Sequence, residues 1–312
     1  MSKPLSQTQM LIELEQVVEE NLNRHLKVAK EWFPHEYVPW SDGRNFDGPL
    51  GGEAWSPDDS PLSDVARSAL IVNLLTEDNL PSYHHEIAIL FGRDAAWGDW
   101  VHRWTAEEGR HGIAIRDYLL TSRAVDPVEL ERLRMQHMST GYESLHSADL
   151  VRSLAYVSFQ ELATRVSHRN TGRVTNDPVA DALLGKVAAD ENLHMIFYRN
   201  LLGAALELSP SQTMRAITDV VTTFAMPGTD IAGFQRKAVE MAIAGVYDLR
   251  QHRDDVVAPV LRFWNVFELE GLDAEGEQAR EELAAFMDGL EVQANRFEDK
   301  RDRLRERLAA RA

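Results

Sequence analysis

EGRH at residues 108–111 and ENLH at residues 191–194 repeat one pattern, in which a glutamate is followed three residues later by a histidine. Residues three apart on an α-helix lie on the same face, so each pair can reach one ion together. Helical bundles that hold two bridged metal ions take such a pair from each of two helices and a single glutamate from each of two others. The sequence therefore predicts four ligand helices around a di-metal site.

Two single glutamates, Glu77 and Glu161, alternate with these pairs along the chain. Glu108 is chosen over Glu107 because only Glu108 has a histidine three residues later. The choice between Glu77 and Asp78 is less constrained, and the longer side chain of Glu77 matches the other ligands. The predicted metal ligands are Glu77, Glu108, His111, Glu161, Glu191 and His194.

The surroundings of these residues favour burial over a solvated helix face. Three of the glutamates lie in the apolar stretches WTAEEGRHGIAI, LAYVSFQELAT and GKVAADENLHMIFY. A buried carboxylate is rare without a partner, and four of them would neutralise two ferrous ions. Without metal they would repel one another and several would take up protons, which predicts a less stable metal-free protein. Carboxylate and imidazole ligands with open positions suit iron that reacts with dioxygen, so the expected cofactor is two carboxylate-bridged iron ions, Fe2+ or Fe3+.

Composition excludes several classes of function. The 312 residues contain no cysteine, so thiolate metal sites, iron–sulfur clusters and cysteine nucleophiles are absent. A net charge of -17 argues against nucleic acid as a partner, although residues 296–312 are locally rich in Arg and Lys. No signal segment or long apolar run occurs, which predicts a cytoplasmic protein without an integral membrane segment. No Pro-, Gly- or Ser-rich linker divides the chain, and we expect a single domain over 1–312.

Helical periodicity dominates and predicts an all-α fold. Expected helix starts are Ser63-Asp64, Asp126-Pro127, Ser147 and Asp177-Pro178, each with a capping side chain or a first-turn proline. Residues 33–61 predict a long irregular connection that wraps over the bundle, and 274–312 a charged C-terminal helical segment. The predicted helices cover 6–32, 62–78, 81–92, 95–123, 126–138, 147–171, 178–207, 210–225, 232–246, 254–268 and 274–310.

Five motifs with specific order and spacing support a family resemblance that runs from residue 31 to about residue 270. The chain resembles the soluble acyl-acyl carrier protein desaturases, especially their actinobacterial branch. Ferritins and methane-type monooxygenases share the ligand plan but lack SFQELAT and AADE. The resemblance implies a ferritin-like di-iron helical bundle with additional helices. The motifs are LTEDNLPSY (75–83), WTAEEGRHG (104–112), SFQELATRVSHRNT (158–171), AADENLH (188–194) and FAMPG (224–228).

The resemblance also implies an activity. Members use two irons, dioxygen and two electrons from reduced ferredoxin to introduce a cis double bond into a fatty-acyl chain carried on acyl carrier protein. By position, Glu108 and Glu191 would bridge the irons, Glu77 and Glu161 would be terminal ligands, and each histidine of the two pairs would bind one iron. A homodimer is expected from the resemblance alone.

Four further residues match family positions suspected of a catalytic, electron-transfer or histidine-supporting role. Thr164 lies on the helix face of Glu161, so its hydroxyl could donate a proton or hydrogen bond at the metal site. Asp190 is a plausible acceptor for the second ring N–H of His111. Trp32 and Trp104 match family positions, but packing as core aromatics is an open alternative.

Three other histidines lie near the motifs. His168 is a candidate neighbour of the ligands, seven residues after Glu161. His84 and His85 are expected to be ordinary core or surface residues, because Pro81 separates them from Glu77.

The acyl chain requires a narrow apolar channel past the metals, and the acidic carrier protein requires a local basic patch at its mouth. Candidates for this patch are Arg165, Arg169 and Arg173, or Arg236 and Lys237. Two alternatives to desaturation remain open: hydroxylation or N-oxygenation at the same centre, and a non-catalytic metal-binding paralogue. Iron storage is disfavoured because the chain is much longer than a four-helix storage subunit.

Overall fold

The fold is a bundle of α-helices, described here from a computed structural model that covers residues 4–142, 145–146, 148–228, 231 and 233–309. Within these ranges the only β-type pairing is an isolated bridge between Phe46 and Glu53. The all-α prediction is therefore confirmed. The helices are α1 (Gln7–Val28), α2 (Asp64–Asp78), α3 (Leu80–Phe91), α4 (Ala95–Thr121), α5 (Pro127–Thr140), α6 (Leu150–Thr175), α7 (Pro178–Leu208), α8 (Pro210–Thr223), α9 (Phe234–Ala244), α10 (Leu249–Gln251), α11 (Ala258–Phe263) and α12 (Ala274–Ala309), with a π-helical segment His252–Val257 joining α10 to α11.

Side-chain caps fix several helix starts where the sequence places them. The side chains of Ser63, Asp126 and Asp177 accept backbone N–H bonds at the starts of α2, α5 and α7. Ser147 lies outside the described residues, and the helix predicted from 147 begins at Leu150. Asp149 provides its cap by accepting from the backbone N–H of Arg152, 2.8 Å away.

Two other predicted helices differ in extent from those observed. The first was expected to reach residue 32, but α1 ends at Val28. The helix expected over 254–268 begins earlier, at Leu249, because Asp248 caps it by accepting from the backbone N–H of Gln251. It ends at Phe263. Arg311, one of the basic residues in the segment 296–312, lies outside the described part of the chain.

Four central helices form the layer that carries the predicted ligands. Helix α6 packs along the length of α7, α2 contacts both α4 and α6, and α4 also contacts α7. The other helices lie outside this layer: α1 packs on α4 and α7, α3 on α4, α8 on α6 and α12, and α9 on α2. The interior between α2, α4, α6 and α7 is therefore closed from most directions.

Large aromatic side chains fill the core beside this interior. The rings of Trp100 and Phe197 stack with their centroids 3.5 Å apart, and Tyr198 packs edge-on against both. Burying a ring of this size stabilises the fold by about 2–3 kcal/mol. On the other side, α4 approaches α2 at Gly112, where a Cβ atom would lie 3.5 Å from the Cβ of Glu77. The two helices are therefore in close contact at this position.

Residues 33–61 contain only three single-turn helices, Pro34–Glu36, Trp40–Asp42 and Pro57–Asp59. Arg123, which is 2% exposed, holds the end of this connection. Its guanidinium donates to the carboxylate of Asp59 at 2.8 Å and to the carbonyl oxygen of Ala54 at 3.1 Å. Among the described helices, none is long and apolar enough to cross a membrane.

Candidate metal centre

The structure brings all six predicted ligands together between four helices. Glu77 projects from α2, Glu108 and His111 from α4, Glu161 from α6, and Glu191 and His194 from α7. None of the six is more than 7% exposed. Their potential ligand atoms form two groups of four, and within each group these atoms lie within 4.8 Å of one another. The groups are Glu77, Glu108, His111 and Glu191, and Glu108, Glu161, Glu191 and His194.

Glu108 and Glu191 belong to both groups. Nδ1 of His111 lies 3.4 Å from Oε2 of Glu108 and 3.4 Å from Oε1 of Glu191. Nδ1 of His194 lies 2.7 Å from Oε1 of Glu108. The two oxygens of Glu108 thus face different imidazoles, which is the arrangement of a carboxylate that can bridge two ions.

Each of the two histidines is oriented by an acid on the other ligand helix. Nε2 of His111 lies 3.3 Å from Oδ2 of Asp190, and Nε2 of His194 lies 2.9 Å from Oε2 of Glu107. Because an ionised carboxylate only accepts hydrogen bonds, both imidazoles carry a proton on Nε2. In the neutral form of each ring the Nδ1 lone pair is then available to bind metal.

The ligand carboxylates have supporting contacts of their own. His168 lies with Nε2 2.7 Å from Oε1 of Glu77, and Trp104 donates its Nε1–H to Oε1 of Glu161 over 3.1 Å. Through this bond Trp104 supports the carboxylate of Glu161 and not one of the two histidines. His84 lies elsewhere, with Nδ1 2.7 Å from the hydroxyl of Thr105.

Trp32 and Thr164 also contact the site. Nε1–H of Trp32 donates to Oδ2 of Asp190 over 2.7 Å, and its ring stacks over His111 with centroids 6.4 Å apart. The hydroxyl of Thr164 donates towards Oε2 of Glu191 over 2.9 Å. Thr164, Asp190, Trp32 and Trp104 all lie within one or two contacts of the six predicted ligands.

Electrostatics in this pocket favour protonated histidines when no cation is bound. Burial lowers the pKa of His111, but the carboxylates of Glu108 and Asp190 outweigh it and raise that pKa well above its ordinary value. Burial also lowers the pKa of His194, but contacts with Glu107 and Glu108 outweigh this effect and raise that pKa to about 10. Positive charge is therefore needed to balance the clustered carboxylates.

The carboxylates respond differently from one another. Burial and the charge of Glu191 raise the pKa of Glu161 well above its ordinary value. Burial acts to raise the pKa of Glu77 too, but hydrogen bonds from His111 and His168 outweigh it and leave that pKa lowered. Burial and the neighbouring negative charges therefore oppose the ionisation of Glu161, whereas hydrogen bonds favour the ionised form of Glu77.

Unpaired atoms test whether a cation fits this pocket. Among the described residues, Nδ1 of His111, Nδ1 of His194 and Oε1 of Glu108 are buried without a hydrogen-bond partner. A buried polar atom without a partner costs about 1–3 kcal/mol. All three point into the two groups, and all the available donors are oxygen or imidazole nitrogen. Two divalent cations would satisfy them and neutralise the four glutamates.

Two neighbouring cavities lie beside the two groups. The first is lined by all four predicted glutamate ligands and continues between apolar side chains of α3 and α6, including Leu80, Ile87 and Val157. The second is lined from α9 by Phe234, Ala238 and Met241. Both cavities have Thr76, Thr164 and Pro227 in their walls, so they are neighbours on either side of these residues.

Comparison with known proteins identifies the relatives of this chain. The sequence matches the fatty acid desaturase family over residues 6–311. A candidate acyl-[acyl-carrier-protein] desaturase of Mycobacterium tuberculosis, DesA1, is 54% identical over 99% of this chain and 93% of its own length. The chain belongs to the acyl-acyl carrier protein desaturase family. This confirms the resemblance and the enzyme class expected from the sequence motifs.

Other members of the desaturase family show the breadth of the relationship. The chloroplastic stearoyl-[acyl-carrier-protein] 9-desaturase of Gossypium hirsutum is 30% identical over 96% of this chain and 79% of its own length. The crystal structure of a candidate desaturase of Mycobacterium tuberculosis, DesA2, superposes with a TM-score of 0.71 at 31% identity. The superposition covers 86% of this chain and 98% of the DesA2 chain.

The two sets of basic residues suggested for docking lie in different places on this desaturase. Arg165, Arg169 and Arg173 line a groove of about 880 Å3 between α6 and α7, which reaches Asp190 and does not touch the two cavities. Arg236 and Lys237 lie on α9, the helix that lines the second cavity.

Sequence reasoning missed Glu107 and His25. Glu107 was set aside as a ligand, but it is 5% exposed and accepts the hydrogen bond of His194. His25 is 2% exposed and lies with Nε2 2.9 Å from the same Glu107 oxygen. The signal for Glu107 was present, because Glu107-Glu108 and Asp190-Glu191 are matching acidic pairs. The sequence contained no comparable signal for His25.

Proposed function

We propose that the protein is a dioxygen- and ferredoxin-dependent desaturase that introduces a cis double bond into a fatty-acyl chain carried on acyl carrier protein. The reaction takes place at a carboxylate-bridged di-iron centre held by the six predicted ligands. The observation that carries the proposal is the position of Glu108, whose two carboxylate oxygens face the two Nδ1 atoms of His111 and His194. That arrangement supports two adjacent cations with a shared ligand.

Iron is the metal that this donor set and family membership favour. Carboxylate and imidazole ligands without thiolate suit ferrous iron with open coordination positions. Glu77, Glu108, His111 and Glu191 would hold one ion, and Glu108, Glu161, Glu191 and His194 would hold the other. When bound, the iron pair supplies the oxidising power that an unactivated C–H bond requires.

The overall reaction balances without any further cofactor. The acyl chain loses two hydrogen atoms from adjacent carbons, dioxygen receives these together with two electrons from ferredoxin and two protons, and two water molecules form. The chain's own residues position the reactants. The cavity lined by the four glutamates holds the apolar acyl chain beside Thr164, and the closed bundle keeps bulk water away from the reacting carbons.

The partners follow from the proposed reaction. The names of the relatives give acyl carrier protein as the carrier of their acyl substrate. We propose the same carrier for this chain. Reduced ferredoxin as the electron donor, a homodimer and a cytoplasmic location remain predictions of the same hypothesis.

Product analysis tests the proposal directly. The iron-loaded protein is incubated with a saturated acyl chain on acyl carrier protein, ferredoxin, ferredoxin reductase, NADPH and dioxygen, and the released chain is analysed by mass spectrometry. An alkene lacking two hydrogen atoms supports the proposal. An oxygen-bearing product would instead identify a hydroxylase, and an unchanged chain on a protein that holds two irons would identify a non-catalytic relative. Glu108→Ala serves as the inactive control.

A further inference from the structure

Glu107 and Asp190 occupy equivalent places in the two ligand helices. Each directly precedes a glutamate that belongs to both ligand groups, and each accepts the Nε2–H bond of the histidine on the other helix. Each of α4 and α7 thus supplies the carboxylate that supports the histidine of the other helix. The residues that hold these two carboxylates can therefore be compared.

Both carboxylates are held by an aromatic ring N–H and an arginine. Asp190 accepts from Nε1–H of Trp32 over 2.7 Å and from Arg110 over 2.7 Å. Glu107 has His25 at 2.9 Å and forms an ion pair with Arg103. His25 therefore holds the place at Glu107 that Trp32 holds at Asp190.

His25 is well fixed for this role. It lies in the last turn of α1, and its ring packs edge-on against Trp100 with centroids 5.2 Å apart. It also stacks on His194 with centroids 5.8 Å apart. The other buried residues of α1 are apolar, so His25 is the buried polar contact of this helix with the centre.

The geometry at Glu107 explains what His25 contributes. Oε2 of Glu107 receives both His25 and His194, each over 2.9 Å, while the other oxygen faces Arg103. The side chain of Arg103 is 42% exposed. Without the His25 bond, Glu107 could rotate towards this arginine and water, and the Nε2–H of His194 would lose its fixed acceptor. The direction of the Nδ1 lone pair of His194 would then be less well defined.

We propose that His25 is a positioning residue for the metal ion bound by His194, which it orients by holding Glu107. This inference rests on the proposed di-metal function and adds to it a contribution from a helix that carries no ligand. Supporting carboxylates of metal-bound histidines commonly affect metal affinity by about 10- to 100-fold. His25 acts one step further out, and its effect is confined to one of the two ions.

Iron release from the loaded protein tests the role of His25. Wild-type protein, His25→Leu, His25→Gln and the control Leu22→Ala are loaded with 57Fe2+ without oxygen and equilibrated with increasing concentrations of an iron chelator. We expect His25→Leu to release one iron about 10-fold more readily than the wild type, the lower end of the range for a directly supporting carboxylate, while the second iron keeps its affinity. Its Mössbauer spectrum should show one altered iron site. His25→Gln retains an N–H donor and should recover most of the lost affinity.

The control separates positioning from loose packing of α1. Leu22 is a buried apolar residue one turn before His25 on the same helix, and Leu22→Ala should leave both affinities and both iron signals unchanged. The inference is overturned if His25→Leu holds both irons as tightly as the wild type, or if it and Leu22→Ala weaken both irons equally. A wild-type protein that binds fewer than two irons would instead reject the proposed function itself.

Discussion

The hydroxyl of Thr164 lies 2.9 Å from Oε2 of Glu191, and Thr164 lines both cavities beside the centre. The carbonyl oxygen of Glu161 lies 3.0 Å from the same hydroxyl and is an alternative acceptor for its one proton. A hydroxyl in this place faces both a shared ligand and the proposed path of the acyl chain.

Replacing Thr164 should therefore affect turnover more than metal binding. Thr164→Val keeps the shape but removes the hydroxyl, and we expect kcat to fall by about 10- to 100-fold, at or below the lower end of typical proton-transfer contributions. Thr164→Ser should retain most of the activity. Iron content, measured alongside the desaturation rate, should stay at the wild-type value in both variants. Equal rates for Thr164→Val and the wild type would remove the hydroxyl from the mechanism.

Removing Glu108 should have the largest effect on metal content. Its two oxygens face the two imidazoles, so Glu108→Ala removes a ligand from both ions and should leave less than half of the wild-type iron after loading. Glu86 offers a matched control, since it lines the same cavity and belongs to neither ligand group. Glu86→Gln should bind iron normally in the same elemental analysis. Full iron content in Glu108→Ala would contradict the bridging role.

The six candidate ligands could be chosen from the sequence because their pattern lies within single helices. The three-residue spacing of Glu108 and His111 places both on one helix face in any α-helix, whatever packs against it. Apolar neighbours then show that this face is buried. Both features can be read without knowing how the helices are arranged.

The supporting contacts depend on the register between helices, which spacing along one helix does not fix. Asp190 could be proposed for His111 only because family resemblance drew attention to it. Glu107 serves His194 across the bundle, and this requires knowing how far α4 is shifted along α7. The two cavities likewise depend on side chains from α3, α6 and α9 that are far apart in the sequence.

Metal binding should stabilise the folded protein. The cation satisfies three unpaired buried atoms and reduces repulsion between carboxylates, and the unfolded chain has no such site. At a free iron concentration of about 100 times the dissociation constant, one site contributes about 2.7 kcal/mol. We expect a higher Tm for iron-loaded than for metal-free protein in anaerobic calorimetry. The same iron concentration should not raise the Tm of Glu108→Ala comparably.

His252 should make the protein less stable in mild acid. Burial lowers the pKa of His252 to about 4, whereas the unfolded chain has the ordinary value of about 6.5. The unfolded state therefore binds the proton more readily, so the stability contribution is present above about pH 6.5 and is lost as the pH falls towards 4. From about pH 7.5 to about pH 5 this loss amounts to about 2 kcal/mol.

A non-titrating variant isolates this contribution. His252→Asn keeps a polar group near the hydroxyl of Tyr247, which lies 2.9 Å from Nδ1 of His252. Urea unfolding at both pH values should show a loss of stability that is about 2 kcal/mol smaller in the variant than in the wild type. The same pH dependence in both proteins would assign the acid sensitivity to other groups.

The two basic surfaces should serve different partners. Arg236 is exposed on α9, which lines the second cavity, so it is close to where a carrier-bound acyl chain would enter. Arg165 lines the groove that reaches Asp190, the carboxylate joined to His111, so it is close to where electrons would enter. Acyl carrier protein and ferredoxin are both acidic in this hypothesis, so charge alone does not assign either partner to a basic surface. The position of each surface relative to the cavity and to Asp190 makes the assignment.

Single charge reversals test this separation. Arg236→Glu should raise the KM for the carrier-bound substrate by about 3- to 10-fold at low salt and leave the KM for ferredoxin unchanged, because rim charges mainly affect association. Arg165→Glu should do the reverse. Each variant is the control for the other, and iron content should be normal in both. If Arg165→Glu raised the KM for the carrier-bound substrate instead, the carrier would dock at the α6–α7 groove, and the acyl chain would have to enter by a route other than the second cavity.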